Sequence, residues 1–338
     1  MKDRILVTGG AGFIGSNFIH YLMGNSDVEI INLDFLTYAG NLNNLSGLEG
    51  NKRYKFYHGD ICDKKLVEKI CVEENVNGII NFAAESHVDR SILDSTPFVE
   101  TNVKGTVVLL DIAKKLEIPN FLQVSTDEVY GSLGKEGLFT ESTPITTNSP
   151  YSASKGAADH FVHAYGHTFG MNVKITRCSN NYGPNQFPEK LIPLMILNAL
   201  DGKDLPVYGD GKNVRDWLYV EDHCSAIWTV YTKGKTREVY NIGGKNEKQN
   251  IEIVNLLLDI LNKPHSLIKY VKDRPGHDQR YAIDNNKIQT ELGWEPSLTF
   301  EVGIEKTVKW YLDNLEWCRN ILDGSYMDFY ELQYGNQR

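Results

Sequence analysis

Short apolar runs rich in β-branched residues alternate with longer stretches of helical periodicity through the first half of the chain. The runs predict strands at 5–8, 29–33, 54–57, 78–82, 121–124 and 173–176. The stretches between them predict helices at 13–23, 64–74, 99–116 and 153–169. Strands that alternate with helices of this length predict βαβ units and a parallel sheet. The predicted fold class is therefore α/β with a doubly wound sheet, in which ligands bind beyond the carboxyl ends of the strands.

The pattern changes after about residue 180, where prolines divide the chain into shorter pieces. Helices are predicted there at 193–200, 220–231 and 251–261. We therefore expect one domain over residues 1–180 and a smaller C-terminal lobe over residues 181–338. A strand at 238–242 could return to the main sheet.

Composition and charge narrow the possible partners. The 44 acidic and 35 basic residues leave a net charge of −9, which argues against binding to nucleic acid or to an anionic membrane. Five cysteines without CxxC spacing or a histidine cluster predict reduced thiols and no metal site. No run approaches about 18 apolar residues, and the N-terminal apolar run is too short for a signal peptide. We expect a cytoplasmic protein with no membrane span.

A glycine-rich turn follows the first predicted strand and opens the first predicted helix. Gly10, Gly12 and Gly15 fit the GxGxxG dinucleotide fingerprint, and Gly9, Gly12 and Gly15 equally fit GxxGxxG. The missing side chains let the backbone approach a pyrophosphate, which the amide groups of a helix N-terminus can bind. Asp34 ends the next strand, where a carboxylate binds the ribose 2′-hydroxyl of NAD and repels the extra phosphate of NADP. The sequence thus predicts a Rossmann sheet that binds NAD.

Asp60 follows the third predicted strand and has two possible roles. Its carboxylate could accept a hydrogen bond from the adenine amino group, or it could cap the helix predicted at 64–74.

Two groups of residues carry candidate chemistry at the predicted sheet edge. Tyr151 and Lys155 form a YxxxK pair on one helix face, where the ammonium is expected to lower the pKa of the phenol and make it a base. Thr126 ends the fifth strand and could hydrogen-bond the same substrate oxygen. Asp127 and Glu128 would face opposite ways on an extended strand, so they can serve one substrate only if the chain turns at 126–128. Alternatively, this acidic pair caps the start of a helix.

Several segments taken together extend these single motifs over nearly the whole chain. They are residues 8–16, 36–41, 83–91, 125–131, 151–155, 177–184, 215–217 and 274–278. In these segments the sequence resembles the extended short-chain dehydrogenases/reductases and, within them, the dTDP-glucose 4,6-dehydratases.

This resemblance implies an NAD-dependent lyase acting on dTDP-glucose. Tyr151, with Lys155 and Thr126, would remove the C4 hydroxyl proton while NAD accepts the C4 hydride. Glu128 would then abstract the C5 proton and Asp127 would protonate the departing C6 hydroxyl, so Asp127 must be held protonated. Return of the hydride to C6 would give a 4-keto-6-deoxy sugar nucleotide.

The resemblance also implies two sets of binding residues. The expected NAD-binding residues are Gly9, Gly12, Phe13, Ile14, Gly15, Asp34, Thr37, Asp60, Ile61, Ala83, Ala84, Thr101, Tyr151, Lys155 and Asn181. The expected sugar-nucleotide residues are Ser86, His87, Thr126, Asn180, Lys190, Leu191, Pro206, Tyr208, Arg215, Asn250, Arg274 and His277. Arg215 and Arg274 are the best candidates for the diphosphate because a guanidinium fork matches phosphate oxygens.

The resemblance further assigns NAD binding to residues 1–180 and sugar-nucleotide binding mainly to 181–338. It implies a homodimer in which the helices at 99–116 and 153–169 form a four-helix bundle.

Other functions remain open at this stage. A ring methyl is worth only about 1 kcal/mol of discrimination, so a UDP-glucose 4,6-dehydratase is possible. A UDP-hexose 4-epimerase or a UDP-glucuronate decarboxylase would share the fold but would not need the acidic pair at 127–128. A non-catalytic NAD sensor is a further alternative, against which the intact Thr126, Tyr151 and Lys155 count.

Overall fold

The computed structural model describes residues 3–273 and 277–321 of the chain. The strands in these ranges are β1 (Arg4–Thr8), β2 (Glu29–Asp34), β3 (Tyr54–His58), β4 (Gly78–Asn81), β5 (Phe121–Thr126), β6 (Val173–Cys178), β7 (Asn180–Tyr182), β8 (Leu205–Tyr208), β9 (Val214–Tyr219), β10 (Val239–Ile242), β11 (Glu247–Gln249) and β12 (Ile268–Val271). The helices are α1 (Phe13–Asn25), α2 (Lys64–Glu73), α3 (Val88–Leu93), α4 (Thr96–Phe98), α5 (Thr106–Lys115), α6 (Pro150–Phe169), α7 (Leu191–Leu200), α8 (Val220–Lys233), α9 (Asn250–Ile260), α10 (Asn286–Leu292), α11 (Phe300–Asp313) and α12 (Leu315–Ile321). A π-helical segment, Val99–Gly105, joins α4 to α5.

A parallel sheet organises the described part of the first half. Its strand order is β10-β6-β5-β4-β1-β2-β3, with β1 paired to β2 on one side and to β4 on the other. Side chains of β1 alternate between two cores, because Ile5 and Val7 pack on one face while Leu6 packs on the other. Helices cover both faces, which explains why the strands read as continuous apolar runs. The predicted α/β doubly wound fold is confirmed.

One strand of this sheet comes from late in the chain. β10 pairs in parallel with β6, so that Val239 lies opposite Ile175. Helix α8 precedes β10 and packs against α1. Residues after 181 therefore contribute to the main sheet as well as to the second lobe.

The second lobe contains two small sheets and a core of its own. β9 pairs in parallel with β7 and antiparallel with β11, while β8 pairs with β12. Helices α7, α9 and α11 pack together over these strands, and their core includes Met195, Leu257 and Ile304. Helix α7 begins two residues before the predicted 193–200, and its Pro193 lies in the first turn, where a missing amide hydrogen costs nothing. Across the described residues, no helix has both the length and the apolar character to span a bilayer.

Candidate active site

The turn between β1 and α1 brings the backbone unusually close to itself. Gly9 has φ +69°, and a side chain there would lie 2.6 Å from the amide nitrogen of Ala83. A side chain at Gly15 would collide with the carbonyl oxygen of Gly9. Gly12 is the N-cap residue of α1 and brings no capping side chain, and the first turn of the helix contains no acidic residue. This cradle of backbone and helix N-terminus fits the pyrophosphate of a dinucleotide.

Asp34 closes the same turn from the end of β2. Its carboxylate accepts hydrogen bonds from the backbone amides of Ala11 and Leu36, each at 2.8 Å. Burial raises the pKa of Asp34, and the two amides oppose that shift. Each carboxylate oxygen has a second lone pair, so the fixed carboxylate can still accept a ribose hydroxyl.

A cavity of about 310 Å³ extends from the glycine turn to the carboxyl ends of β4, β5 and β6. We call it the cofactor cavity. Every residue of the expected NAD-binding set lines it. Lining residues that the sequence analysis did not identify are Leu33, Phe35, Ala39, Gly40, Gly59, Phe82, Glu85, Val124, Ser125, Cys178, Ser179, Gln186, Phe187 and Glu189.

Asp60 lies in this cavity and does not cap α2. Its Oδ1 accepts a hydrogen bond from the amide of Cys62 at 2.8 Å. Asp63 is the residue whose side chain caps the helix, accepting from the amides of Lys65 and Leu66. The capping alternative for Asp60 is therefore wrong, because Asp63 lies directly before the helix.

The chain turns immediately after β5. Thr126 is the N-cap of a 3₁₀ turn, Asp127–Tyr130, and its hydroxyl accepts from the amide of Glu128 at 3.2 Å. The side-chain cap therefore comes from Thr126, while Asp127 and Glu128 lie in the first turn of this segment, as the capping alternative placed them. The turn satisfies the condition set by the sequence, since Asp127 and Glu128 both line the cofactor cavity.

Asp127 occupies the more buried position of the two. Its side chain hydrogen-bonds Thr126 through Oδ1, whereas Oδ2 is buried without a hydrogen-bond partner among the described residues. Burial raises the pKa of Asp127 well above its ordinary value, and the nearby charges of Glu128 and Asp216 raise it further. Arg215 opposes this shift. The raised pKa favours the protonated form of the Asp127 carboxyl group, which is the form that can donate a proton.

Tyr151 and Lys155 lie in the first turns of α6. Ser149 and Ser152 form a capping box that fixes the start of this helix. Both functional side chains are buried, and the Lys155 ammonium donates to the carbonyl of Val124 at 2.8 Å.

The expected lowering of the Tyr151 pKa by Lys155 is wrong for the described chain. Burial raises the pKa of Tyr151 well above its ordinary value, and the Glu128 carboxylate raises it further. A hydrogen bond with Thr126 acts in the opposite direction. Burial also lowers the pKa of Lys155, so the cation is itself less stable there.

A second cavity of about 170 Å³ lies beside the cofactor cavity; we call it the substrate cavity. Expected sugar-nucleotide residues that line it are Ser86, His87, Asn180, Lys190, Leu191, Pro206, Tyr208, Arg215, Asn250 and His277. Thr126 lines the cofactor cavity instead, and Arg274 lies outside the described residues. Residues that line both cavities are Ser86, Glu128, Asn180, Glu189 and Lys190. Glu128 therefore faces both the cofactor side and the substrate side.

Arg215 is held in a fixed orientation in the substrate cavity. Its guanidinium donates to the carbonyls of Val214 at 2.8 Å and Asp278 at 3.0 Å. It also lies over the ring of Tyr281, 4.4 Å from the ring centroid. A guanidinium held in this way is preorganised to bind an anion.

Glu189 is a buried carboxylate at the junction of the cavities that the sequence analysis missed. It accepts hydrogen bonds from Tyr38 at 3.2 Å and from Arg90 at 3.3 Å. The Arg90 guanidinium in turn lies 3.9 Å from the ring centroid of Tyr38. Tyr38 and Arg90 lie in segments 36–41 and 83–91, which carry the resemblance to the dehydratase family. Those two segments were the sequence signal that could have identified the Glu189 group.

Comparisons with known proteins agree with this geometry. The family model described as GDP-mannose 4,6 dehydratase matches residues 6–307. A dTDP-glucose 4,6-dehydratase from Xanthomonas campestris pv. campestris (strain B100) is 55% identical, over 95% of this chain and 96% of the relative.

Two solved structures extend the comparison to the fold. One is a dTDP-glucose 4,6-dehydratase from Bacillus anthracis str. Ames in complex with NAD, at 54% identity and a TM-score of 0.89, covering 94% of this chain and 99% of that one. The other, from Streptomyces venezuelae with NAD and a second ligand bound, is 49% identical with a TM-score of 0.91, covering 93% of this chain and 98% of that one. Fold and site thus define an extended short-chain dehydrogenase/reductase. Within that class, the chain belongs to the dTDP-glucose 4,6-dehydratase family.

Proposed function

We propose that this protein converts dTDP-glucose into dTDP-4-keto-6-deoxyglucose and water, with NAD regenerated in every turnover. The observation that carries this proposal is the acidic pair at the end of β5. Asp127 is buried with a raised pKa, while Glu128 faces both cavities. An elimination needs one proton donor and one proton acceptor on the same substrate, and these adjacent carboxyl groups have environments suited to those two roles.

The first step is oxidation at C4. Tyr151 accepts the proton of the C4 hydroxyl, and Thr126 donates a hydrogen bond to the same oxygen. We propose that the positive charge of Lys155, on the same face of α6, offsets part of the rise that burial causes in the Tyr151 pKa. NAD, held by the residues that line the cofactor cavity, would supply the hydride acceptor for C4 and the hydride donor for C6.

The second step is loss of water across C5 and C6. The C4 ketone acidifies the C5 hydrogen, and Glu128 removes that proton. Asp127 donates its proton to the C6 hydroxyl, which leaves as water while a C5–C6 double bond forms. Glu128 returns its proton to C5 as C6 is reduced. The proton that Tyr151 took from the C4 hydroxyl then replaces the one that Asp127 gave up, so the net change is the loss of one water.

We further propose a division of labour between the two parts of the chain. Residues 1–180 bind NAD, supported by the lining of the cofactor cavity, and residues 181–338 mainly bind the sugar nucleotide. Arg215 binds the diphosphate, because its guanidinium is oriented by two carbonyls and a tyrosine ring. Arg274 is proposed as a second diphosphate ligand from the sequence alone.

The residues also favour dehydration over epimerisation. A 4-epimerase oxidises and reduces the same carbon, so it gains nothing from a protonated carboxyl beside C6. A buried Asp127 without a full set of hydrogen bonds costs stability, which argues that its position serves chemistry.

We propose a homodimer built from the helices at 99–116 and 153–169. Support comes from exposed apolar side chains on these segments, Val99 at 54% and Phe161 at 41% exposure. A cytoplasmic location is proposed because NAD and nucleotide sugars are cytoplasmic metabolites.

One experiment tests the proposed function directly. Purified protein is mixed separately with dTDP-glucose, UDP-glucose and GDP-mannose, without added reductant, and the products are weighed by mass spectrometry. Loss of one water from dTDP-glucose, at a rate well above the other two, is the expected result. Turnover of UDP-glucose at an equal rate would contradict the proposed preference for a thymine nucleotide. No loss of water from any of the three substrates would contradict the dehydratase function.

A further inference from the structure

Arg177 lies at the centre of a buried polar network behind the cofactor cavity. Its Nε donates to Oδ2 of Asp159 at 2.9 Å, and one terminal nitrogen donates to the hydroxyl of Tyr130 at 3.0 Å. The guanidinium also lies over the Tyr130 ring, 4.8 Å from its centroid. The Tyr130 hydroxyl in turn donates a hydrogen bond to Oδ1 of Asn241 at 2.7 Å.

The members of this network come from different structural elements. Arg177 lies on β6, Asp159 on α6, Tyr130 in the 3₁₀ turn after β5, and Asn241 on β10. All of them are buried, with relative exposures between 0% for Asn241 and 5% for Arg177. A buried ion pair and its hydrogen bonds have few alternative arrangements, so they fix the elements that they join.

Two of these elements carry the groups assigned to the reaction. Helix α6 carries Tyr151 and Lys155, and the turn that ends at Tyr130 carries Asp127 and Glu128. Arg177 contacts both elements directly, through the carboxylate of Asp159 and the hydroxyl of Tyr130.

Asp159 has a second connection to the site. It follows Lys155 by four residues on α6 and therefore lies on the same face of the helix. Its Oδ1 is buried without a hydrogen-bond partner among the described residues. Its negative charge stabilises the Lys155 ammonium against the opposing effect of burial.

From these contacts we propose that Arg177 is a positioning residue that holds helix α6 and the turn Asp127–Tyr130 in a fixed relative position. Its contact with Asp159 supports the oxidation step, and its contact with Tyr130 supports the elimination step. This inference rests on the proposed function. In it, a single bound hexose must meet Tyr151 at C4 and the acidic pair at C5 and C6 without moving between steps. The hydroxyl of Tyr130 keeps the turn in place, and the charge of Asp159 supports Lys155.

The test uses two nearly isosteric substitutions, because removal of Arg177 would leave Asp159 as an unpaired buried charge and could prevent folding. Tyr130→Phe removes only the hydroxyl that joins Arg177 to Asn241. Asp159→Asn keeps an oxygen that can accept a hydrogen bond from Arg177, and it removes the negative charge near both Lys155 and Arg177. Tyr240→Phe is the matched control, since Tyr240 is fully buried beside Asn241 on β10 and its hydroxyl bonds Glu291 instead.

Single-turnover mixing with dTDP-glucose separates the two steps. Absorbance of the reduced cofactor reports oxidation, and mass spectrometry of quenched samples reports loss of water. For Tyr130→Phe we expect elimination to slow about tenfold with oxidation changed less than about twofold, so that reduced cofactor accumulates. For Asp159→Asn we expect oxidation to slow about tenfold without accumulation. Thermal unfolding and the NAD dissociation constant are measured for each variant.

Tyr240→Phe tests whether loss of any buried hydroxyl near Asn241 would give the same kinetic pattern. Tyr240→Phe is expected to lower thermal stability to a similar extent while both steps stay within about twofold. Equal losses in both steps, no loss in either, unfolding of Tyr130→Phe, or the same pattern in Tyr240→Phe would each overturn the positioning role. If the unaltered protein removes no water, the proposed function itself fails and the inference fails with it; an active unaltered protein with the wrong variant pattern overturns only the inference.

Discussion

Asp127 and Glu128 are adjacent in the chain, yet the turn after β5 gives them different surroundings within one site. Asp127 is 1% exposed and its second oxygen is buried without a partner among the described residues, whereas Glu128 borders both cavities. The turn begins at Thr126, whose hydroxyl caps it through the Glu128 amide. Burial thus acts strongly on one of two similar side chains, which supports the proposed roles of Asp127 as general acid and Glu128 as general base.

The first prediction concerns these two carboxyl groups. Asp127→Asn and Glu128→Gln should each slow the loss of water by about 100-fold or more, because each removes a proton donor or acceptor and little else. Oxidation at C4 should continue slowly, so reduced cofactor should accumulate after mixing with dTDP-glucose. The accumulation is measured by absorbance and the missing water by mass. Unchanged dehydration in both variants would remove the pair from the mechanism.

A second prediction concerns binding of the substrate diphosphate. Arg215→Ala should raise the KM for dTDP-glucose by about tenfold to 100-fold, because a charge-assisted contact to phosphate is lost. The dissociation constant for NAD should stay nearly constant, since Arg215 lines the substrate cavity and not the cofactor cavity. Arg280→Ala is the control, because Arg280 lies in the same lobe but pairs with Glu247. Equal effects of the two substitutions on KM would speak against a phosphate contact at Arg215.

A third prediction concerns the choice of cofactor. Asp34→Asn should weaken NAD binding by about tenfold, because a neutral amide is a poorer acceptor for the ribose hydroxyl. NADP binding should weaken less or improve, since the repulsion of its extra phosphate is removed. Titration calorimetry with both cofactors gives the ratio of dissociation constants. Asp60→Asn, in the same cavity, is the control and should change the dissociation constants for NAD and NADP by the same factor. If Asp34→Asn leaves the ratio of these two constants unaltered, Asp34 does not bind the ribose 2′-hydroxyl.

The fourth prediction concerns Lys174, a buried lysine outside the proposed mechanism. Its ammonium donates to Asn120 at 2.8 Å, and burial lowers its pKa from 10.5 to about 8. Between these values the unfolded chain binds more protons than the folded chain, so the free energy of unfolding should rise with pH. Below about pH 8 the full cost of burying the charge is present.

Lys174→Met should remove most of this rise, which we expect to be about 1 to 2 kcal/mol between pH 8 and 10. Urea denaturation at several pH values measures it. Lys69→Met is the control, because Lys69 is exposed and pairs with Glu73 across one helical turn. A slope that persists unchanged in Lys174→Met would show that another group is responsible.

The first half of the fold could be predicted because its signals are local. A strand buried on both faces must be apolar throughout, as Ile5, Leu6 and Val7 are, and its glycine turn must lack side chains. The second lobe gave weaker signals. Strands β7, β8 and β9 were not predicted, because short strands between prolines have neither alternation nor a long apolar run.

The candidate site was predictable where chemistry depends on adjacent residues and less so where it depends on burial. The turn at Asp127 and Glu128 was inferred from adjacent residues in the sequence. The raised pKa of Tyr151, by contrast, depends on how deeply α6 is buried. Glu189 was missed because its partners are remote in sequence, with Tyr38 151 positions away and Arg90 99 positions away. Local patterns contain no information about such contacts.

The late arrival of β10 has a consequence for the growing chain on the ribosome. Until Val239–Ile242 has been synthesised, β6 is an open edge of the sheet with unpaired backbone groups. A nascent polypeptide halted before that point would expose the unpaired edge of β6, the strand that contains Arg177. Tyr130, which pairs with Arg177, would still lack its partner Asn241. Truncated translation products of this protein are therefore expected to aggregate or to require a chaperone.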